Sequence, residues 1–183
     1  GKKYNIVSGG ISRLDKLTEG MQSFYQDIEA DYRTSQKLEI AVITFNDDAS
    51  LIQSPSLIED CPPLMLNAHG MTNLTDAMEM AMDLVESRKS WYRTTNQPFY
   101  RPWIILLTDG EPNEGEDIAS LANAIRQEVN DKHFEFLPIG VDNADMETLR
   151  KLSANIPALP LAGAKFSNFF KWLSASMSAI IDK

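Results

Sequence analysis

The chain has 183 residues, 43% of them hydrophobic and 23% charged, the usage of one globular domain with its own core. Its net charge of −9 and pI near 4.7 argue against a nucleic-acid partner or an anionic membrane, which need a basic surface, and leave room for metal ions or basic partners. A single cysteine, Cys61, excludes an internal disulfide and fits a reducing compartment. No apolar run reaches the roughly 18 residues of a membrane span and no leader peptide is visible, so a cytoplasmic location is expected.

The first element is a short strand, "KKYNIV", followed by the loop "SGGIS". In "SRLDKLTEGMQSFYQDIEADY" the residues Leu14, Leu17, Met21, Phe24, Ile28 and Tyr32 recur every three or four positions, one apolar stripe of a helix. Ser12 and Asp15 resemble a capping pair at its start. "KLEIAVITFN" reads as a strand, "DDAS" as a turn, and "LIQSPSLI" as an antiparallel edge strand, where Pro55 is tolerated. Cys61, beside two prolines, reads as a loop or packing residue.

A second helix, "TNLTDAMEMAMDLVESRKSWY", turns Leu74, Ala77, Met78, Ala81, Met82 and Val85 inward. "RPWIILLTDG" is a continuous apolar strand of the kind covered on both faces. There follow a helix ("EDIASLANAIRQEVNDK"), a buried strand ("FEFLPIGV"), a short helix ("DMETLRKLSAN") and a short strand ("ALPLAG"). The closing helix has an apolar face of Phe166, Phe169, Phe170, Leu173, Met177 and Ile180. Strands alternating with helices predict a single α/β domain over residues 1–183. Its sheet is doubly wound and mostly parallel, with one antiparallel edge strand and helices on both faces.

In such sheets the site lies beyond the carboxyl ends of the strands. "SGGIS", "NDD", "TDGEPNEGED" and "DNAD" fall there, joined by "NAHGMTNLTDAM", which leads into the second helix. Thr108, Asp109 and Glu111 gather in one of these stretches, and oxygen donors at a strand mouth suit a hard cation. Each residue also has a plain structural reading: Asp-Gly is a common turn, Thr72 is placed to cap a helix, and His69 reads as a loop residue. His133 carries no signal. Neither a phosphate loop nor a Ser-His-Asp or Cys-His arrangement is present.

The strand "YRPWIILLTDGEP", preceded by a helix opening "GMTNLTDAM", resembles the von Willebrand factor type A domain. The order of elements is similar over nearly the whole chain. Within that family "YRPWIILLTDGEP" and "IGVDNADMETLRKLS" look most like the bacterial tellurite-resistance-associated, TerY-like branch. The resemblance implies protein recognition rather than catalysis, through a metal-ion-dependent adhesion site. There Mg²⁺, or Mn²⁺ or Ca²⁺, is held by three loops and completed by a partner's acidic side chain. Thr72 maps to the threonine of one loop and Asp109 to the aspartate of another.

The remaining loop departs from the pattern. The family places Asp-x-Ser-x-Ser directly after the first strand, whereas here "KKYNIV" runs straight into "SGGIS". Three readings account for this. A short segment carrying the motif belongs between Val7 and Ser8, or the motif is deleted and the domain is a metal-free scaffold, or Ser8 or Ser12 replaces the usual hydroxyls. Thr72 and Asp109 alone would hold Mg²⁺ poorly, because a dedicated site needs several well-placed oxygens. The expected function is divalent-metal-dependent protein recognition in a bacterial stress-response setting, with Thr72, Asp109 and Ser8 as metal ligands. The alternatives are the metal-free scaffold and a Mg²⁺-dependent phosphotransferase or hydrolase using Asp109.

Overall fold

The computed structural model describes residues 13–45, 48–64, 66, 73–109, 112–162 and 165–182. The first strand, Ser8, Ser12, His69, Thr72 and Glu111 lie outside them. The chain begins with helices α1 (Arg13–Ala30) and α2 (Tyr32–Ser35) and strands β1 (Glu39–Phe45) and β2 (Ala49–Leu57). Helix α3 (Leu74–Thr94), strand β3 (Trp103–Thr108), helix α4 (Ile118–Asn130) and strand β4 (Glu135–Val141) follow. Helix α5 (Met146–Leu152), strand β5 (Leu159–Leu161) and helix α6 (Phe166–Ile181) complete the order. β3, β4 and β5 form a parallel sheet in that order, with Trp103 opposite Glu135, Thr108 opposite Gly140 and Ile139 opposite Leu159. β1 and β2 form a two-stranded antiparallel pair of their own among the described residues, so the α/β class, the parallel strands and the antiparallel pair follow the sequence reading.

Two compact units emerge. One holds α3, β3, α4, β4, α5 and β5; the other holds α1, α2, most of β1 and β2, and α6. In the first, Leu74 and Met78 of α3, Ile104 and Leu106 of β3, Phe136 of β4, Leu121, Ile125 and Val129 of α4, and Leu149 and Leu152 of α5 make one apolar cluster. Ala81, Met82 and Val85 continue the expected α3 stripe at its edge. Each large side chain buried this way contributes about 1.5–3 kcal/mol.

The strands differ from expectation in their covering. β4 is buried on both faces from Phe136 to Val141, but β3 alternates, with Ile104, Leu106 and Thr108 buried and Trp103, Ile105 and Leu107 half-buried. β4 lies between two strands, while β3 has one hydrogen-bonded neighbour among the described residues. Pro138 sits inside β4 opposite Leu106, removing one ladder donor from a central strand.

In the second unit α1 packs on α6. A Cβ on Gly20 would stand 2.7 Å from Phe170 Cδ2 and 3.3 Å from Phe166 Cβ, so only glycine allows this approach. Phe24 and Phe170 meet with ring centroids 5.9 Å apart. Phe166, Phe169, Phe170, Leu173 and Met177 are buried, as the closing stripe predicted. The stripe ends at Ile181 rather than Ile180, four residues beyond Met177 on the same helical row.

The first helix is also shorter than its periodicity implied. Asp31 is extended (φ −96°, ψ 99°), and its carboxylate accepts from the Thr34 N–H at 3.4 Å and the Thr34 hydroxyl at 2.9 Å. That cap stops α1 and starts α2. Tyr32 consequently leaves the stripe and is 78% exposed. Hydrogen bonds involving the Ser178 and Thr34 side chains hold the Asp31 carboxyl below its ordinary range.

Cys61 is a packing residue: its thiol donates to the Leu57 carbonyl at 3.4 Å, and burial pushes its pKa up. Buried Gln53 donates to Cys61 Sγ at 3.1 Å and to the Ile40 carbonyl at 3.0 Å, and accepts from the Tyr25 hydroxyl at 3.2 Å.

Candidate functional site

The candidate site lies at the carboxyl ends of β3 and β4. Thr108 is the last residue of β3 and Asp109 the next; they are 8% and 7% exposed. A carboxylate this far from water requires cationic or hydrogen-bonding company, and carboxylate oxygens are the donors that a hard divalent cation takes. Opposite Thr108 stands Gly140. A Cβ there would come within 2.9 Å of Leu149 Cδ1 and 3.1 Å of Ala144 Cβ, so glycine lets α5 close against the strand end.

α3 starts beside this region. Its N-cap is Asn73, whose Oδ1 accepts from the Asp76 N–H at 3.2 Å and whose Nδ2 donates to Asp76 Oδ2 at 2.6 Å. The helix is therefore capped by the residue after Thr72. Glu116, in the loop after β3, reaches this same helix start. Its Oε1 accepts from the Thr75 N–H at 2.6 Å and its Oε2 from the Asn113 N–H at 2.6 Å. One carboxylate thus ties the segment that follows Thr72 to the segment that follows Asp109. Charge-assisted bonds to backbone donors are about twice as strong as neutral ones. The negative charge also sits at the positive end of the α3 dipole.

Sequence reasoning missed Glu116. The only signal was an acid-rich stretch, "GEPNEGED", in which nothing distinguishes Glu116 from its neighbours. Gly115, at φ +85°, makes the turn that aims it.

Other acidic residues of the strand-end loops have structural jobs. Asp117 caps α4, accepting from the Ser120 N–H at 3.0 Å and the Ser120 hydroxyl at 2.7 Å. Asp145 caps α5, accepting from the Thr148 N–H at 3.2 Å and the Thr148 hydroxyl at 2.6 Å. These bonds hold both carboxyls below their ordinary range. Asp142, at φ +53°, turns the chain after β4, and its N–H donates to the Leu161 carbonyl at 2.9 Å. His133 lies at the far end of β4, with Nδ1 2.7 Å from Glu128 Oε2.

Of the three sequence candidates, Asp109 stands buried at the strand mouth, while Ser8 and Thr72 fall outside the described residues. Among the described residues, no three His, Cys, Asp or Glu side chains converge to hold a metal ion. None of the described helices is long and apolar enough to cross a membrane.

Among curated proteins no sequence matches the chain. Solved structures share the fold at low identity. Proximal thread matrix protein 1 from the mussel byssus superposes with a TM-score of 0.60 at 15% identity, over 89% of this chain and 43% of that one. The chain therefore spans less than half the length of that protein. The SpRpn10 VWA domain gives a TM-score of 0.56 at 10% identity, covering 86% of this chain and 84% of that one. The ArnB paralog VWA2 from Sulfolobus acidocaldarius gives 0.50 at 13% identity, over 81% of this chain and 38% of that one. The family model for the von Willebrand factor type A domain matches residues 7–171, nearly the whole chain, and the protein belongs to that family.

Proposed function

We propose that this domain recognises a protein partner through a divalent cation held at the carboxyl ends of its strands. Domains of the family commonly mediate protein–protein contacts. The observation that carries the finer reading is Asp109, a carboxylate only 7% exposed at the mouth of β3, beside a helix start that Glu116 fastens to the same loop.

Asp109 would bind the cation directly or through water, Thr72 would offer its hydroxyl, and Ser8 would stand in for the absent first-loop motif. Glu116 sets the spacing of the two loops without being a ligand. A bound Mg²⁺, Mn²⁺ or Ca²⁺ would supply an oxygen shell left incomplete, which a partner's aspartate or glutamate fills. The TerY-like stretches favour a bacterial stress-response setting and a cytoplasmic location for this recognition.

Calorimetric titration with Mg²⁺ and Mn²⁺ tests the reading. Asp109→Ala should abolish binding of the ion while the circular dichroism spectrum stays unchanged. Wild-type affinity in that variant would sink the proposal. The direct junction of "KKYNIV" and "SGGIS" favours a second reading, a metal-free scaffold, which predicts no saturable ion binding by the unmodified chain.

A further inference from the structure

The longest described strand is also the least guarded. β2 has nine residues and, among the described residues, pairs with β1 alone. A strand at a sheet edge offers its outward row of N–H and C=O groups to any extended chain, and proteins usually block that row with charges or proline. The stretch "ASLIQSPSLI", residues 49–58, has no charged residue, and Pro55 is its one guard. Leu51 and Ile52 are 40% and 37% exposed. Successive side chains of a strand point to opposite faces, so β2 presents apolar surface on both sides of its edge.

The strand is fixed from within. Gln53, at its middle, is buried. The Gln53 amide donates to the Ile40 carbonyl of β1 and accepts from the Tyr25 hydroxyl of α1. The Cys61 thiol donates to the Leu57 carbonyl and holds the far end. A template set in advance lowers the ordering cost of binding. Just past that end the chain turns acidic: Glu59 and Asp60, in the 3-10 turn Ile58–Asp60, are both exposed.

We propose that the edge of β2 takes up an extended segment of a partner protein as an added antiparallel strand. The segment is uncharged and β-branched where it passes Leu51 and Ile52, and basic at its amino end, which lies over Glu59 and Asp60. Main-chain hydrogen bonds supply the affinity, and the charge at one end sets the direction. Val, Ile and Thr side chains suit the pleated surface and pack across from Leu51 and Ile52. Charge complementarity selects a basic partner over a second copy of this chain. A second β2 brings no Lys or Arg to Glu59 and Asp60, and each copy carries a net charge of −9.

Fluorescence anisotropy tests this with a labelled peptide of two lysines followed by alternating threonine and valine. EDTA is present throughout, so that no ion contributes. The unmodified chain should bind the peptide saturably, and more weakly at high salt. Leu51→Lys and Ile52→Lys each place a guarding charge on the edge and should weaken binding by about tenfold. Reversing both acids, Glu59→Lys with Asp60→Lys, should weaken it by about tenfold and remove the salt dependence. All four positions are exposed, so circular dichroism spectra should coincide. Peptides N-methylated at alternate residues complete the test. Only the phase whose N–H groups face β2 should lose binding, because alternate residues of a strand direct their N–H groups to opposite edges. Absence of saturable binding, equal loss in both N-methylated phases, or indifference to the edge and acid variants overturns the proposal. So does a chain that dimerises with concentration and ignores the peptide, which gives the edge to a second copy.

Discussion

The α1–α6 region and the strand ends of β3 and β4 use the same kinds of polar side chain in different proportions. Between α1 and α6 the described polar contacts accompany packing. The Ser174 hydroxyl donates to Asp27 at 3.1 Å, and the hydroxyls of Thr34 and Ser178 lie 3.1 Å apart. At the strand ends, carboxylates instead cap helices and tie loops, and one of them, Asp109, is buried at a strand mouth. The first region keeps its polar groups for stability. The second concentrates acids where helix starts leave backbone donors to satisfy, and that requirement gathers carboxylates at one end of the parallel sheet.

The largest effect expected from breaking this contrast is in the packing region. Phe170→Ala removes a ring that is 4% exposed and should cost about 3–5 kcal/mol, measured by urea unfolding, with Mg²⁺ affinity per folded molecule unchanged. A matching loss of affinity would show that the two regions do not divide labour as described.

Next comes Glu116→Ala, which leaves the Thr75 and Asn113 N–H groups without their acceptor. It should cost about 2 kcal/mol and also weaken Mg²⁺ binding, while Glu116→Gln, which keeps one acceptor oxygen, should fall between. Full ion affinity in Glu116→Ala would reduce Glu116 to a purely structural tie.

The smallest effect concerns pH. Burial pushes the Tyr25 hydroxyl up to about 12 from 10.0. A raised folded-state pKa gives stability that is complete below pH 10 and lost as pH rises through about 12. Tyr25→Phe should flatten that alkaline decline and cost about 1 kcal/mol at pH 7 through the lost Gln53 bond. Denaturation series at pH 7 and pH 10.5 separate the two contributions.

Much of this was legible in the chain itself. The α3 row from Leu74 to Val85 and the α6 row from Phe166 to Met177 follow from helical spacing, because a period of 3.6 leaves one face to bury. The apolar runs after Arg101 and His133 announced β3 and β4, and "TDG" after the first of them located Asp109. The break at Asp31 was not legible, because Asp31 falls within a stripe that periodicity alone would continue through Tyr32. A single side-chain cap overrides that preference.

What the sequence determined by itself was the α/β class, the elements and the position of one buried aspartate, since these depend on residues near one another in the chain. The tertiary structure decided the rest. Glu116 reaches across from position 116 to position 75, Gly20 is required by Phe166 and Phe170, far along the chain, and β3 is covered less completely than β4. Such pairings depend on which elements end up adjacent, and local propensity carries no record of that choice.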